Sequence, residues 1–313
     1  MIIAKCPMRI SLAGGSTDLE EYVNSNGYGS VISFPCSLYS YISVFYDKNG
    51  YNNFFNKYII NYTSREQVDD IGEIKNDVAR EVLDHFKCDP LAMSFHADVF
   101  SEGSGLASSS AYLIACIKAV SVREGLSLSE LDICNLALKI EKKFNPLTGY
   151  QDIYGCGLGD LKRMHFHEGG RVKVQYLKKN IFSFFDMHLV YTGIKRKSTK
   201  LLESLDLKKI DKILPLVDQM EKSINNYDAQ SFLDIIREGW AKKKETSPMI
   251  TQNVVISDID NTLRRDKSVL AHRLCGAGNG GYFLVFKKRD SANELKNSLK
   301  IKMAERAIEC KVI

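Results

Sequence analysis

A glycine- and serine-rich stretch, EGSGLASSSA at residues 102–111, has the residue types of an anion-binding loop. Gly103 and Gly105 permit a tight turn and a close approach of the backbone to a ligand. The apolar run that follows has helical spacing, so the free N–H groups of a helix N-terminus would face the loop. The three serines at 108–110 add hydroxyls that could cap the helix or bind a cation. The stretch therefore predicts a phosphate site.

Two other interpretations of this stretch are a Walker A loop and a plain loop. It is not a Walker A loop, because no Lys-Ser or Lys-Thr pair closes it. A plain loop with a serine cap and no ligand fits the same residues. The stretch alone does not decide between a phosphate site and such a loop.

Three carboxylates stand in positions that need an explanation. Glu141 lies near the C-terminal end of the predicted helix LDICNLALKIEKKF, where it opposes the helix dipole; solvation on an exposed face or a bound cation would offset this. Asp152 follows eleven residues later in NPLTGYQD, and it is either a turn residue or a catalytic group. Asp18 precedes a short predicted helix, where a carboxylate is favourable for the dipole alone.

Composition limits the class of protein. The 313 residues suffice for two domains, and 44% hydrophobic with 26% charged residues is typical of a soluble globular protein. The net charge of +5 comes from scattered Lys and Arg, so nucleic-acid binding is not predicted, whereas an anionic small substrate is compatible. Eight cysteines without a CxxC pair indicate free thiols. With no signal peptide and no long apolar run, we expect a cytoplasmic protein without a membrane span.

The elements alternate along the chain. Strands are predicted at 2–12, irregular near Pro7, and at 91–99, with helices at 74–86 and after a capping box at Ser129, and a hairpin that turns at 168–170. A second domain should begin near residue 184 with the strand MHLVYTG, then helices near 208–227 and 231–243, the strand YFLVFKK, one more helix and a short C-terminal strand. The GxGxxG match at 276–281 precedes a strand, which excludes a dinucleotide-binding fold.

Three stretches in this order, PMRISLAGGSTD, EGSGLASSSA and CGAGNGGYFLVF, resemble the motifs of the GHMP kinases. The resemblance runs from Lys5 to Phe286. Each motif alone is weak, but all three in order are specific. Within the superfamily the chain is most similar to the D-glycero-D-manno-heptose 7-phosphate kinases, with which it also shares SLYSYISV, YTGIKRKS, EGWAKKK and RLCGAGNGGYF.

The resemblance implies an α+β, two-domain GHMP kinase fold. Residues 1–183 would form the N-terminal domain, with a left-handed βαβ crossover against the usual right-handed rule. Residues 184–313 would form a ferredoxin-like C-terminal domain, with the site between the two.

The resemblance also implies roles for individual residues. Asp152 would be the catalytic base and Arg9 would lie near the transferred phosphoryl group. Ser109 and Glu141 would bind Mg²⁺. Asp18, with the turn at Gly14 and Gly15, would hold the sugar, and the glycines of the second-domain loop would close the site. The ATP phosphates would lie on Gly103, Ser104, Gly105, Leu106, Ala107, Ser108, Ser109 and Ser110, and the closing loop holds Gly276, Gly278, Gly280 and Gly281.

Further contacts are open. Arg196, in the basic turn 195–197, is the candidate for a phosphate carried by the substrate, because its planar fork matches a phosphate; a solvated basic turn is the alternative. Tyr39, Tyr41 and Tyr62 are candidates for the adenine pocket or for core packing. Two residues depart from the family pattern: Glu102 stands near a common proline, and Ala107 replaces a common glycine.

We therefore expect an ATP- and Mg²⁺-dependent sugar kinase that phosphorylates C1 of D-glycero-D-manno-heptose 7-phosphate, as a monomer or homodimer. Such a product would feed nucleotide-activated heptose for bacterial surface polysaccharide. Another GHMP kinase acting on an unphosphorylated sugar such as fucose or mannose is the first alternative. A non-catalytic binding protein on this scaffold is the second, although it would not need Ser109, Glu141 and Asp152 together.

Overall fold

The computed structural model describes residues 1–46, 56–99, 103–195 and 206–313. Within these ranges lie twelve strands, which have the following bounds: β1 Ile2–Ala13, β2 Tyr28–Phe45, β3 Tyr58–Asn61, β4 Arg65–Val68, β5 Ala92–Ala97, β6 Lys162–His167, β7 Arg171–Tyr176, β8 Phe185–Tyr191, β9 Val269–Leu274, β10 Tyr282–Lys288, β11 Ser298–Ile301 and β12 Glu309–Val312. The hairpin predicted to turn at 168–170 is confirmed, since β6 pairs antiparallel with β7 across those residues.

The strands form two sheets. Eight of them make the first sheet, in the order β12-β1-β2-β5-β3-β4, with β6 pairing with β2 and β7 with β6. All pairs in it are antiparallel except β3 with β5. The second sheet has four antiparallel strands in the order β11-β8-β10-β9. The prediction of an α+β fold with two sheet-based units is confirmed.

Nine helices are present in the described residues, and they have these bounds: α1 Glu20–Asn26, α2 Asp77–Phe86, α3 Ser108–Arg123, α4 Glu130–Phe144, α5 Tyr150–Gly157, α6 Leu207–Ile210, α7 Pro215–Asn225, α8 Ala229–Thr246 and α9 Val254–Arg265. Helix α4 begins with the predicted capping box, in which the Ser129 hydroxyl accepts from the Asp132 N–H and the Asp132 carboxylate accepts from the Ser129 N–H. Helices α3 and α5 pack on β1, and α8 packs on β9.

Strand β1 is irregular at the predicted place. Its register with β2 shifts between Pro7 and Arg9, as expected because proline has no N–H to donate to the ladder. The Arg9 N–H instead donates to the Leu106 carbonyl at 3.0 Å. The irregularity thus ties β1 to the glycine-serine loop.

The C-terminal region differs from the prediction. The helix expected after YFLVFKK is wrong, because residues 289–313 hold only the short strands β11 and β12 and irregular segments. Strand β12 pairs with β1, so the end of the chain joins the first sheet. The handedness of the crossover and the boundary near residue 184 remain predictions.

One buried ion pair cluster fastens the second half of the chain to the first sheet. Arg163 on β6 is only 8% exposed, and it bonds Asp218 at 2.7 Å and Glu221 at 2.5 Å on α7. Its Nε donates to Ser30 at 3.0 Å on β2.

Seven of the eight cysteines are buried and all eight are free thiols. Among the described residues, none of the helices is sufficiently long and apolar to traverse a bilayer.

Candidate active site

A cleft of about 180 Å³ gathers most of the predicted site residues. Of the predicted set, it is lined by Arg9, Asp18, Gly103, Ser104, Gly105, Ala107, Ser108, Ser109, Ser110, Glu141, Asp152 and Gly276. Leu106 lies beneath the loop, fully buried, and Gly278 packs against Ile250. Gly14 and Gly15 line a smaller neighbouring cavity. Arg196 and Glu102 lie outside the described residues.

The glycine-serine loop leads directly into α3, which begins at Ser108. Gly103 and Gly105 have φ of 67° and 81°, and Ser104 Oγ accepts from the Leu106 N–H at 3.2 Å. Ala107 adopts φ 60° and ψ 38°, the left-handed conformation that a glycine at this position would adopt without strain. The N-terminus of a 16-residue helix therefore faces the cleft, where its N–H groups and dipole favour an anion.

Arg9 and Asp152 form an ion pair inside the cleft. Arg9 Nη2 and Nε both donate to Asp152 Oδ1, at 2.6 and 3.0 Å, while Nη1 donates to the Gly105 carbonyl at 2.7 Å. The Arg9 side chain is 2% exposed, whereas that of Asp152 is 33% exposed. Asp152 lies in the first turn of α5, so it is a helix residue that faces the cleft rather than a turn residue.

Asp18 fixes the start of α5. Its carboxylate accepts from the Gln151 N–H at 3.1 Å, from Gln151 Nε2 at 3.0 Å and from the Ser16 N–H at 3.1 Å. Helix α1 begins later, with Leu19 at its N-cap, so Asp18 does not cap it. Burial, together with the charge of Asp152, raises the pKa of Asp18 to about 6.

Glu141 is buried in the cleft, which excludes the exposed helix face. It is 3% exposed and accepts from the Ser110 hydroxyl at 2.9 and 3.2 Å. Burial and the charge of Asp152 raise its pKa to about 7. The predicted partner Ser109 also lines the cleft but is exposed, so the contact with Glu141 is made by Ser110 instead.

The residues around Glu141 fit a Mg²⁺ ion. A buried carboxylate with a raised pKa is stabilised by a cation, and hydroxyls of two serines lie in the same cleft. The described residues contain no cluster of three or more acidic, His or Cys ligands. Mg²⁺ does not need one, since it keeps several waters and takes phosphate oxygens beside one or two protein ligands.

Lys162 holds the other end of α5. Its side chain is fully buried, and its ammonium donates to the carbonyls of Gly155 at 3.1 Å, Gly159 at 3.3 Å and Leu158. Burial lowers its pKa to about 8. A cation at this position complements the negative end of the helix that carries Asp152.

The glycine loop of the second half, residues 276–281, lies against the glycine-serine loop, which is the predicted phosphate loop. The Tyr282 N–H donates to the Ser104 carbonyl at 3.1 Å. Gly281 has φ 88°, and a Cβ there would approach the Ser104 carbonyl oxygen to 2.2 Å, so only glycine fits. Lys243 Nζ donates to the Gly276 carbonyl from helix α8. The loop therefore borders the cleft as predicted for Gly276, and its glycines permit the close approach.

A larger cavity of about 710 Å³ opens beside the phosphate loop. Aromatic side chains line it, and Gly103, Ser108 and Ser109 connect it to the cleft; the aromatic residues are Tyr62, Phe95, His96 and Tyr112. Tyr62 is thus well placed for an adenine contact. The lining does not include Tyr39 or Tyr41, whose rings contact each other with centroids 6.2 Å apart.

Several residues that line the cleft carry no prediction from the sequence, and two of them, Lys243 and Gln151, make contacts to other parts of the site. Lys243 lies on α8, where Phe232, Ile236 and Trp240 form the buried side, and the 4-4-3 spacing from them to Lys243 was the available signal. Gln151 precedes Asp152 and contacts Asp18, and its Oε1 is buried with no hydrogen-bond partner in the described structure. No sequence signal marked Gln151.

Comparison with known proteins shows which family the chain is similar to. Residues 73–160 match the family described as GHMP kinases, N-terminal domain. The predicted resemblance to this superfamily is confirmed, and the fold is that of its solved members.

Two of the similar proteins are named as heptose phosphate kinases. The chain is 28% identical over 306 residues to D-glycero-alpha-D-manno-heptose 7-phosphate kinase of Campylobacter jejuni, covering 91% of this chain and 89% of the relative. It superimposes with a TM-score of 0.78 and 19% identity on a D-glycero-D-manno-heptose 1-phosphate kinase from Bacteroides thetaiotaomicron, covering 100% and 99% of the chains. It also superimposes on Streptococcus pneumoniae phosphomevalonate kinase in complex with phosphomevalonate and AMPPNP, with a TM-score of 0.76, 12% identity and coverage of 96% and 100%.

Proposed function

We propose that this protein is an ATP- and Mg²⁺-dependent kinase that phosphorylates the C1 hydroxyl of D-glycero-D-manno-heptose 7-phosphate. The observation that carries the proposal is the Arg9–Asp152 pair, which lies in one cleft with the N-terminus of α3 and the buried Glu141. Phosphoryl transfer requires positioning and charge neutralisation more than covalent chemistry, and this cleft offers both.

The nucleotide would span the two cavities. Its base fits the aromatic cavity at Tyr62 and Tyr112, and its phosphates fit the N-terminus of α3, where free N–H groups favour anions. Glu141 with Ser109 or Ser110 would hold Mg²⁺, which neutralises phosphate charge when bound. This arrangement directs the γ-phosphate towards the side of the cleft that holds Asp152.

Asp152 would act as the general base. The C1 oxygen attacks the γ-phosphorus, the bond from that phosphorus to the β,γ-bridging oxygen breaks, and ADP leaves with that oxygen. The hydroxyl proton passes to Asp152. A weak base such as this carboxylate can accept the proton, because an anomeric hydroxyl is more acidic than an ordinary alcohol. Arg9 holds Oδ1 of Asp152 and supplies positive charge beside the transferred group.

The sugar would lie between Asp152 and Asp18. Gln151 donates to Asp18 through both its backbone and side-chain N–H groups, which orients its free acceptor Oε1 for a substrate hydroxyl. The names of the two heptose kinases above both specify a heptose that already carries a phosphate. They place that phosphate on different carbons, and it is the 7-phosphate in the name of the Campylobacter jejuni relative that supports heptose 7-phosphate as the substrate.

An ATP turnover assay across sugars tests the proposal. ADP release is measured with heptose 7-phosphate, heptose, fucose, mannose and galactose, and the product is assigned by phosphorus NMR. The proposal requires heptose 7-phosphate to give the highest kcat/KM and a C1-phosphorylated product. A preference for an unphosphorylated sugar would favour the first alternative, and absence of turnover with every sugar would favour the non-catalytic one.

A further inference from the structure

Lys243 is a buried cation that the roles above do not use. It is 5% exposed and lies on the same side of α8 as Phe232, Ile236 and Trp240, which belong to the apolar cores. Burying an ammonium is costly unless the group interacts with an acceptor or an anion. Lys243 meets this condition through the Gly276 carbonyl, and it also places a positive charge in the lining of the cleft, where an anionic ligand could bind.

Lys243 borders the turn at Gly14 and Gly15, to which the family resemblance assigns the sugar. It lines the 180 Å³ cleft and also the small cavity of about 10 Å³ that Gly14 and Gly15 border. The lining of the aromatic cavity does not include it. Its ammonium is held by the Gly276 carbonyl, in the loop that borders the cleft from the second half of the chain.

Two more buried cations line the cavities that Lys243 borders: Arg9 lines the cleft, and Arg273 lines the small cavity. Arg273 is 5% exposed, also lines the small cavity, and donates from Nη1 to the Leu12 carbonyl at 2.5 Å. Its Nε has no hydrogen-bond partner in the described structure, and burial, with a smaller contribution from the Arg9 charge, lowers the pKa of Arg273. The small cavity has room for about one water molecule, so an anion would not reach Arg273 directly. An anion beside Lys243 would nevertheless reduce the electrostatic cost of all three cations.

We propose that Lys243 binds the phosphate that the sugar carries before the reaction, and that it thereby sets the preference for a phosphorylated sugar. This inference rests on the proposed kinase function and adds the residue that recognises the substrate's own charge. Arg9 serves the transferred group, because it is bonded to Asp152 and to the phosphate loop. Binding energy from a remote phosphate can position the reacting end and raise kcat as well as lower KM.

The test compares heptose 7-phosphate with heptose for the parent and for Lys243→Met. A hydrogen bond to a charged group contributes about 1.5–3 kcal/mol, so the parent should prefer the phosphorylated sugar by about 10- to 150-fold in kcat/KM. Lys243→Met should lose most of that preference, because its kcat/KM should fall for heptose 7-phosphate and not for heptose. The KM of Lys243→Met for ATP should stay within about twofold of the parent value, because the substitution does not change the proposed nucleotide contacts.

Lys242→Met is the matched control. Lys242 is the preceding residue on α8, pairs with Glu238 at 2.7 Å and is not among the residues that line the cleft. The parent-like preference is expected there. Should Lys243→Met fail to fold, Lys243→Gln replaces it, since a neutral amide can still donate to the Gly276 carbonyl.

Several outcomes would overturn the inference. A preference that survives in both Lys243 variants removes the residue from recognition, and an equal loss on both sugars assigns it to the nucleotide or the fold. If the parent has the same kcat/KM for heptose as for heptose 7-phosphate, the inference is rejected while the kinase function stands. A parent that turns over no sugar rejects the proposed function itself.

Discussion

Both hydrogen bonds from Arg9 to Asp152 reach the same carboxylate oxygen, Oδ1, at 2.6 and 3.0 Å. Because Arg9 is buried and Asp152 is one-third exposed, the pair joins the interior of the first sheet to the cleft. The other oxygen, Oδ2, is then the one that a substrate hydroxyl would use. The carboxylate is oriented by a cation that remains charged at every accessible pH.

The first prediction concerns this carboxylate. Asp152→Asn should lower kcat at least ~10²-fold, since loss of a general base removes a contribution of that size. Binding of ATP should change little, because the phosphate loop remains in place. The measurements are steady-state kinetics and a nucleotide-binding titration.

The control for this substitution is Asp160→Asn. Asp160 lies just beyond α5, its side chain is 55% exposed, and its carboxylate forms an ion pair with Lys179 at 3.5 Å. Asparagine tolerates its φ of 57°. Parent-like turnover is expected for Asp160→Asn, and the same turnover in Asp152→Asn would move Asp152 to a structural role.

The second prediction concerns the metal. Glu141→Gln should raise the Mg²⁺ concentration for half-maximal rate by about tenfold or more, because a charged ligand to an ion with few protein ligands is lost. Ser109→Ala and Ser110→Ala are titrated beside it. The serine with the larger effect is the ligand, and Ser110 is the one in contact with Glu141. A titration of Glu141→Gln that overlays the parent would reject the site.

The third prediction is a pH dependence set by Asp18. Its pKa is raised from 3.8 to about 6, so the carboxylate that accepts from Gln151 begins to be protonated as the pH falls towards 6. The kcat/KM for the sugar should therefore decline below about pH 6, although an ordinary aspartate would stay ionised to about pH 4. The profile is measured at saturating Mg²⁺, which would keep Glu141 ionised although its pKa without metal is raised to about 7, and Asp18→Asn should then lower the plateau and abolish this decline. A decline that persists in the variant would belong to another group.

The raised pKa of Asp18 affects the stability of the fold in the opposite direction to its effect on activity. The folded state binds the Asp18 proton more tightly than the unfolded state does, so this group stabilises the fold most below about pH 4 and its contribution is lost as the pH rises to about 6. Activity and stability attributable to Asp18 should thus change in opposite directions across this window.

The fourth prediction concerns the contact between the two glycine-rich loops. Gly281→Ala should weaken ATP binding and destabilise the protein, because its Cβ would overlap the Ser104 carbonyl. Gly193→Ala is the matched control: its φ of 75° is similarly unfavourable for alanine, but no atom lies within 4 Å of the added Cβ. The control should lose about 1 kcal/mol of stability and no affinity for ATP. Equal ATP affinity in the two variants would contradict a functional contact.

Local sequence features predicted much of the first half. The irregularity at Pro7, the capping box at Ser129 and the helix after residues 103–107 each follow from proline, serine or glycine chemistry acting on near neighbours. The final helix was wrong because the residues after β10 pair with strands far away in sequence. Such long-range pairing leaves no local periodicity.

The sequence predicted the motif residues of the candidate site, but it did not predict the contacts that support them. Motif residues such as Arg9 and Asp152 come together in the cleft as the resemblance implies. Lys243 stands in a run of three lysines that looks like a solvated helix surface, and only its spacing from Trp240 distinguishes it from its neighbours. The choice between Ser109 and Ser110 depends on the rotation of α3 towards α4, which one helix alone does not determine.

Helix α5 is held at both ends: the Asp18 carbonyl and carboxylate accept from the N–H groups of Tyr150 and Gln151, and Lys162 binds the carbonyls at the far end. Asp152, the proposed base on this helix, is therefore positioned when the protein folds and does not have to be positioned again in each catalytic cycle. The pre-positioned side chain should lower the activation barrier mainly through entropy, because little conformational freedom remains to be lost when the substrate binds. Adjustment to incoming and departing ligands would then fall to the glycine-rich loops, which have the backbone freedom for it.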